Sequence, residues 1–77
     1  MKTAQDMIHE YAAAIAAGAA RYGRGTSSME HVRKGALRRL QAGLCGLEKQ
    51  ESDRILAAAK ALSVKLINSQ PNPSHEN

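Results

Sequence analysis

A chain of 77 residues has room for one small domain. It contains no Phe, no Trp and a single cysteine, so neither large apolar rings nor an internal disulfide can hold its core together. The formal net charge of +4 at pH 7 favours an acidic partner, whether a protein surface, a nucleic acid or a phosphorylated ligand. A core of this size usually supplies only about 3–5 kcal/mol, so we expect self-association to add stability.

The first predicted helix covers residues 4–22. Thr3 and Asp6 are spaced as a capping arrangement at its start, and Gly23 is the residue type that most often ends a helix. A helically spaced apolar stripe runs through it at Ala4, Ile8, Tyr11, Ile15, Gly18 and Tyr22. Glycine is costly inside a helix, so Gly18 indicates close packing on this side.

The other side of this helix is rich in alanine. Small side chains allow another helix to approach closely, and we predict that a second copy of the chain contacts Ala13, Ala17 and Ala20. The alternative is that these alanines only raise helix propensity, in which alanine ranks highest.

The second predicted helix covers residues 28–45. Ser27 and Glu30 are spaced as a capping box, which makes Ser27 the predicted N-cap. Its apolar seam consists of Val32, Ala36, Leu37, Leu40, Leu44 and Leu47. The helix is expected to stop near Gly46, with Gly43 as the alternative. The short loop around Gly25 predicts an antiparallel hairpin of helices one and two.

Most of the basic charge lies at this hairpin. Between positions 21 and 39 there are six Lys and Arg residues and one acid, Glu30. Arg33 projects towards the apolar side, and we interpret its aliphatic stem as covering the end of the core. The other cations, with one histidine, form the predicted partner-binding or anion-binding surface: Arg21, Arg24, His31, Lys34, Arg38 and Arg39. The alternative is an ordinary solvated face.

The third predicted helix covers about 48–68. Its predicted buried stripe is Ile55, Ala59, Leu62 and Leu66, and Asn68 is expected to close it. The remaining residues, 69–77, are polar, contain two prolines and are predicted to be a disordered tail. The sequence thus predicts an all-α domain over 1–68, an up-down-up three-helix bundle that forms oligomers.

No chemistry-bearing pattern is visible in the sequence. The three histidines, His9, His31 and His75, lack the spacing of metal ligands, and nothing beside Cys45 identifies a catalytic base. We therefore predict no catalytic residue, no metal, no cofactor and no enzyme activity. The uncharged run 11–20 is about half the length that spans a bilayer, and acidic residues precede it. We expect a soluble, cytoplasmic protein that does not bind a membrane.

Two functional hypotheses follow. The first is a regulatory or accessory protein that self-associates through helix one and binds an acidic protein through the basic face of helix two. The second is a nucleic-acid or nucleotide binder that uses the same basic surface. Aromatic residues do not alternate with the basic ones, as base stacking would require, and this favours the first hypothesis.

Overall fold

A computed structural model describes residues 3–69, which form three α-helices with no β-strand in that range. Helix α1 spans Ala4–Tyr22, α2 spans Ser27–Leu44 and α3 spans Lys49–Ser69. The all-α class and the three predicted helices are confirmed, and their ends differ from the predicted ones by at most one residue. Ser69, predicted to begin the tail, is the last residue of α3, and the rest of that tail, with His75, lies outside the described residues.

Helix α1 is central to the bundle. Both α2 and α3 pack along it, whereas α2 and α3 approach each other much less. The guanidinium of Arg24, in the α1–α2 loop, donates to the carbonyl of Ile67 near the end of α3 at 3.3 Å. The C-terminal end of α3 therefore lies at the same end of the bundle as this loop. Helix α3 runs parallel to α1 and antiparallel to α2, in up-down-up order.

The first helix begins with the predicted capping box. The Thr3 hydroxyl accepts from the Asp6 amide at 3.1 Å, and the Asp6 carboxylate accepts from the Thr3 amide at 3.2 Å. Two amides that have no partner within the helix are thereby satisfied. The helix ends at Gly23, whose φ of +85° suits glycine and whose amide donates to the Ala19 carbonyl.

The N-cap of α2 is Thr26, so the prediction of Ser27 is wrong by one residue. The Thr26 hydroxyl accepts from the Met29 amide at 3.1 Å and donates to the Gly23 carbonyl at 3.1 Å. The second bond links the N-cap residue to the preceding loop. The capping-box spacing in the sequence does not predict this bond. Because the third residue of the helix is Met29, Glu30 does not complete a capping box.

Two further predictions, for Leu47 and Asn68, are wrong. Helix α2 continues through Gly43 and ends at Leu44, and Gly46 takes a φ of +96° in the turn that follows. Leu47 lies beyond the helix and is 42% exposed, so its predicted place in the α2 seam is wrong. Asn68 does not close α3, because the helix continues through it.

The α1–α2 hairpin is held close by a glycine near each end. A Cβ added at Gly18 would come within 2.8 Å of Val32, and one added at Gly43 would come within 2.6 Å of the Met7 sulfur. The close approach that Gly18 predicted is therefore confirmed. These two contacts fix the antiparallel register of the two helices. A residue that lies n positions after Met7 on α1 is level with the residue n positions before Gly43 on α2.

The core uses large side chains sparingly. Its buried large apolar residues are Tyr11, Ile15, Met29, Leu40, Leu44, Ile55 and Ile67, and alanines fill most of the remaining contacts. The stripe predicted for α3 is partly wrong, because Ser63 and Ile67 are buried while Leu62 and Leu66 are half-buried. Ser63 tolerates burial because its hydroxyl donates to the Lys60 carbonyl at 2.7 Å, and its small size lets α3 approach α1.

Candidate binding surfaces

The outer face of α2 brings together three of the predicted partner-binding residues. Advancing about 100° per residue, His31, Lys34 and Arg38 fall within roughly 60° of one another on the helix surface. All three are exposed, and they lie opposite the buried residues Met29 and Ala36. We call these three residues the basic outer face. Among residues 3–69, no hydrogen bond or ion pair occupies Lys34 or Arg38.

Arg39 is separated from that face. It lies on the side of α2 that borders a groove of about 920 Å³ between α1 and α2, which we call the α1–α2 groove. Its lining consists of Met7, Glu10, Tyr11, Ala14, Ala36, Arg39, Leu40, Ala42 and Gly43. Neither the motifs nor the periodicity of the sequence predict this groove. Its only sequence signal is the row of small residues that leaves the space open.

The floor and the rims of the α1–α2 groove differ in chemistry. Tyr11, Ala36 and Leu40 are buried and form an apolar floor. Glu10 on α1 and Arg39 on α2 are exposed and carry opposite charges on the two rims. The groove is thus apolar at its base, acidic along one edge and basic along the other.

Two other predicted cations make contacts within the chain. Arg24 donates to the Ile67 carbonyl, and a positive charge at that helix end also complements the helix dipole. The Arg21 guanidinium lies 5.6 Å from the centre of the Tyr22 ring, within the range of a cation–π contact. The six predicted residues therefore lie in four places: the basic outer face, the rim of the α1–α2 groove, the end of α3 and the Tyr22 ring. Arg33, whose aliphatic stem is predicted to cover the end of the core, is exposed.

The predicted oligomer residues lie on the outer side of α1. Ala13, Ala17 and Ala20 are all exposed, whereas Ala12 and Ala16 are buried in the bundle. The exposed alanines form a flat surface that no described helix covers. This surface continues around α1 to the edge of the α1–α2 groove, because Ala17 and Ala14 are near neighbours on the helix.

A second, shallower depression lies where α1 ends and α2 begins. It has a volume of about 470 Å³ and is lined by Tyr22, Ser27, Ser28, His31 and Val32. The hydroxyl groups and the imidazole make it polar at one side. The depression borders the basic outer face at His31, which belongs to both.

Metal binding and membrane spanning are two further possibilities for residues 3–69. No group of three or more His, Cys, Asp or Glu side chains in this range is arranged to hold a metal ion. None of the three described helices combines the length and apolar character needed to cross a bilayer. Cys45 is a free, exposed thiol at the C-cap of α2.

Comparison with family models, with curated proteins and with solved structures found no match to this chain.

Proposed function

We propose that this protein is a non-enzymatic regulatory or accessory protein that binds an acidic surface of another protein through the basic outer face of α2. The observation that carries the proposal is the free exposure of Lys34 and Arg38 on the side of α2 that faces away from the core. Charged residues placed in this way speed association with a partner of opposite sign and select against partners of the same sign.

The rigidity of the supporting helix also favours a binding role. Helix α2 is capped by Thr26 at one end, and its buried side is fixed against α1 by Met29, Ala36 and Leu40. Side chains on such a helix keep their relative positions, so a partner meets a preorganised row of charges. Preorganisation lowers the entropy lost on binding.

Self-association is the second part of the proposal. The exposed alanines Ala13, Ala17 and Ala20 offer a flat helical surface without charged side chains among them. Val64 and Leu47 add further apolar exposure elsewhere, at 56% and 42%. An oligomer would present several copies of the basic outer face, and linked copies bind a multivalent partner more tightly than one copy does.

Nucleic acid is the alternative partner for the same face. His31, Lys34 and Arg38 follow one side of a helix, as residues that contact successive phosphates do. The only exposed aromatic residue among those described is Tyr22, so base stacking would have little support. Phosphate contacts would make nucleic-acid binding weaken with salt, with a slope of nearly one per contact on logarithmic axes.

The test is an affinity capture that compares three proteins: the wild type, the double variant Lys34→Glu/Arg38→Glu and the control Lys60→Glu/Lys65→Glu. The control makes the same change of charge at exposed positions of α3. We expect the wild type and the control to retain the same partner proteins after nuclease treatment, and the α2 variant to lose them. Retention by all three contradicts the proposal. Loss of the captured material on nuclease treatment supports the nucleic-acid alternative.

A further inference from the structure

The α1–α2 groove lies on the side of the hairpin that α3 leaves uncovered. Helix α2 meets α1 at Met7 and Gly18. The buried Ala12 and Ala16 lie more than about 100° further around α1, so α3, the only other described helix, covers them. The groove opens on the opposite side of the Met7–Gly18 contact line. One further helix pair would complete a four-helix arrangement there.

We propose that the α1–α2 groove is the docking surface for a second copy of this chain, in a two-fold dimer that sets Glu10 of each copy beside Arg39 of the other. The proposal rests on the self-association proposed above and places its interface in the groove instead of on the exposed alanines of α1. The two hairpins pack groove to groove, with a two-fold axis parallel to the helices. In that arrangement α1 of each copy lies beside α2 of its partner, and all neighbouring helices of the four-helix core are antiparallel.

The charges on the two rims fit this arrangement. A rotation about an axis parallel to the helices does not change the position of any residue along that axis, which we call its height. The register that pairs Gly18 with Val32 and Met7 with Gly43 also sets Glu10 within about one helical residue, roughly 1.5 Å, of the height of Arg39. Each carboxylate then meets a guanidinium of the second copy, and the four charges alternate in sign. The surface is therefore self-complementary, as an isologous interface must be.

A glycine without an internal role supports the same surface. Gly18 and Gly43 are explained by contacts inside the hairpin, but a Cβ added at Gly35 would meet nothing within 4 Å. Gly35 lies in the middle of α2, where glycine weakens a helix, on the side adjoining Arg39. A close approach by a second copy at this position would explain why residue 35 has no side chain.

Other occupants fit the groove less well. An acidic helix would set its carboxylates against Glu10, and a basic helix would set its cations against Arg39. A copy of this chain brings both signs in the required order. Lys34 lies roughly 100° or more around α2 from both Gly35 and Arg39, so it stays accessible in the dimer. His31 and Arg38 lie about 40–60° from Gly35, so each basic outer face borders the shared interface.

The test is a charge exchange followed by sedimentation equilibrium. We expect the wild type to have twice the mass of the 8.3 kDa chain. Glu10→Arg alone and Arg39→Glu alone each create like-charge contacts and should weaken dimerisation at least about tenfold. The double variant Glu10→Arg/Arg39→Glu restores alternating charges and should recover the dimer. An equimolar mixture of the two single variants should form a heterodimer.

Controls separate this surface from other modes of association. Lys60→Glu, on the outer side of α3, should leave the dimer unchanged, and circular dichroism establishes that each variant remains helical. A monomer at high micromolar concentration overturns both self-association and the groove interface. A dimer that tolerates both single charge reversals but dissociates with Ala13→Arg or Ala20→Arg overturns the groove interface alone, and leaves self-association through the outer alanines standing.

Discussion

Gly18 of α1 lies so close to Val32 of α2 that a Cβ added at position 18 would come 2.8 Å from a Val32 methyl carbon and 3.2 Å from the Met29 sulfur. This contact determines how closely the two helices of the hairpin pack. It also explains why a glycine occupies the interior of an alanine-rich helix, where alanine is intrinsically favoured.

Gly18→Ala is expected to destabilise the protein even though alanine favours the helix. The added methyl group meets a β-branched side chain that has little freedom to move, and overpacking of this kind costs about 1–3 kcal/mol. Gly35→Ala is the matched control, because its Cβ enters open space within a single chain and should stabilise α2 of the monomer by about 0.5–1 kcal/mol. Urea unfolding of both variants, at a protein concentration low enough that the chain is monomeric, measures these effects. Equal effects of the two substitutions would contradict the close approach at Gly18.

Gly43→Ala is expected to cost less than Gly18→Ala. Its Cβ would come 2.6 Å from the Met7 sulfur, but Met7 is half-buried and its unbranched side chain can move aside. The same unfolding experiment ranks the two substitutions. A larger loss at Gly43 would mean that Met7 is held rigidly in place.

Thr26→Ala is expected to lower stability by about 1 kcal/mol, because α2 loses its N-cap and the loop loses the bond to the Gly23 carbonyl. Ser27→Ala is the matched control and should change stability little, since Ser27 is the first residue of the helix and does not cap it. Thermal unfolding followed by circular dichroism distinguishes the two variants. A greater loss at Ser27 would show that the helix starts one residue later.

Arg24→Gln is expected to loosen the last turn of α3. The variant removes the positive charge beside the carbonyl of Ile67, a contribution of about 0.3–1 kcal/mol near a helix C-terminus. Amide hydrogen exchange should accelerate near Ile67 and remain unchanged at the start of α3. Arg21→Gln provides the control, because Arg21 contacts the ring of its neighbour Tyr22. Unchanged exchange in the Arg24 variant would contradict the tie between loop and helix.

Ser63→Leu is expected to destabilise the bundle by about 1–3 kcal/mol, because the enlarged side chain must fit between α3 and α1 where only 6% of Ser63 is exposed. Ser63→Ala keeps the small volume and removes the hydroxyl with its local bond, so it should be nearly neutral. Denaturant unfolding compares the two. A neutral Ser63→Leu variant would place position 63 outside the α1–α3 contact.

The sequence predicted the helices well because local signals mark their ends. The Thr3–Asp6 spacing marks where α1 begins, and the glycines at 23 and 46 follow the ends of α1 and α2. Each of these signals acts within a few residues. It predicted the helix contacts less well. The burial of Ser63 depends on how closely α1 approaches, and the cap at Thr26 depends on a carbonyl in the preceding loop.

The candidate sites also divide into features that follow from local sequence and features that depend on tertiary contacts. Helical periodicity alone places His31, Lys34 and Arg38 on one side of α2, and the structure has them there. The position of Arg24 depends on α3 returning to the α1–α2 loop, which is a tertiary contact. The α1–α2 groove likewise depends on the register of two helices, so periodicity within a single helix could not reveal it.

The most direct test of the proposed function is photo-crosslinking from the basic outer face itself. A photoreactive amino acid at Gln41, beside Lys34 and Arg38 on α2, should form an adduct with a second polypeptide in cells, and the same amino acid at the exposed Ala61 of α3 should not. The adduct should disappear when Lys34→Glu and Arg38→Glu are introduced. No adduct from position 41, or the same adduct from both positions, would contradict binding through this face.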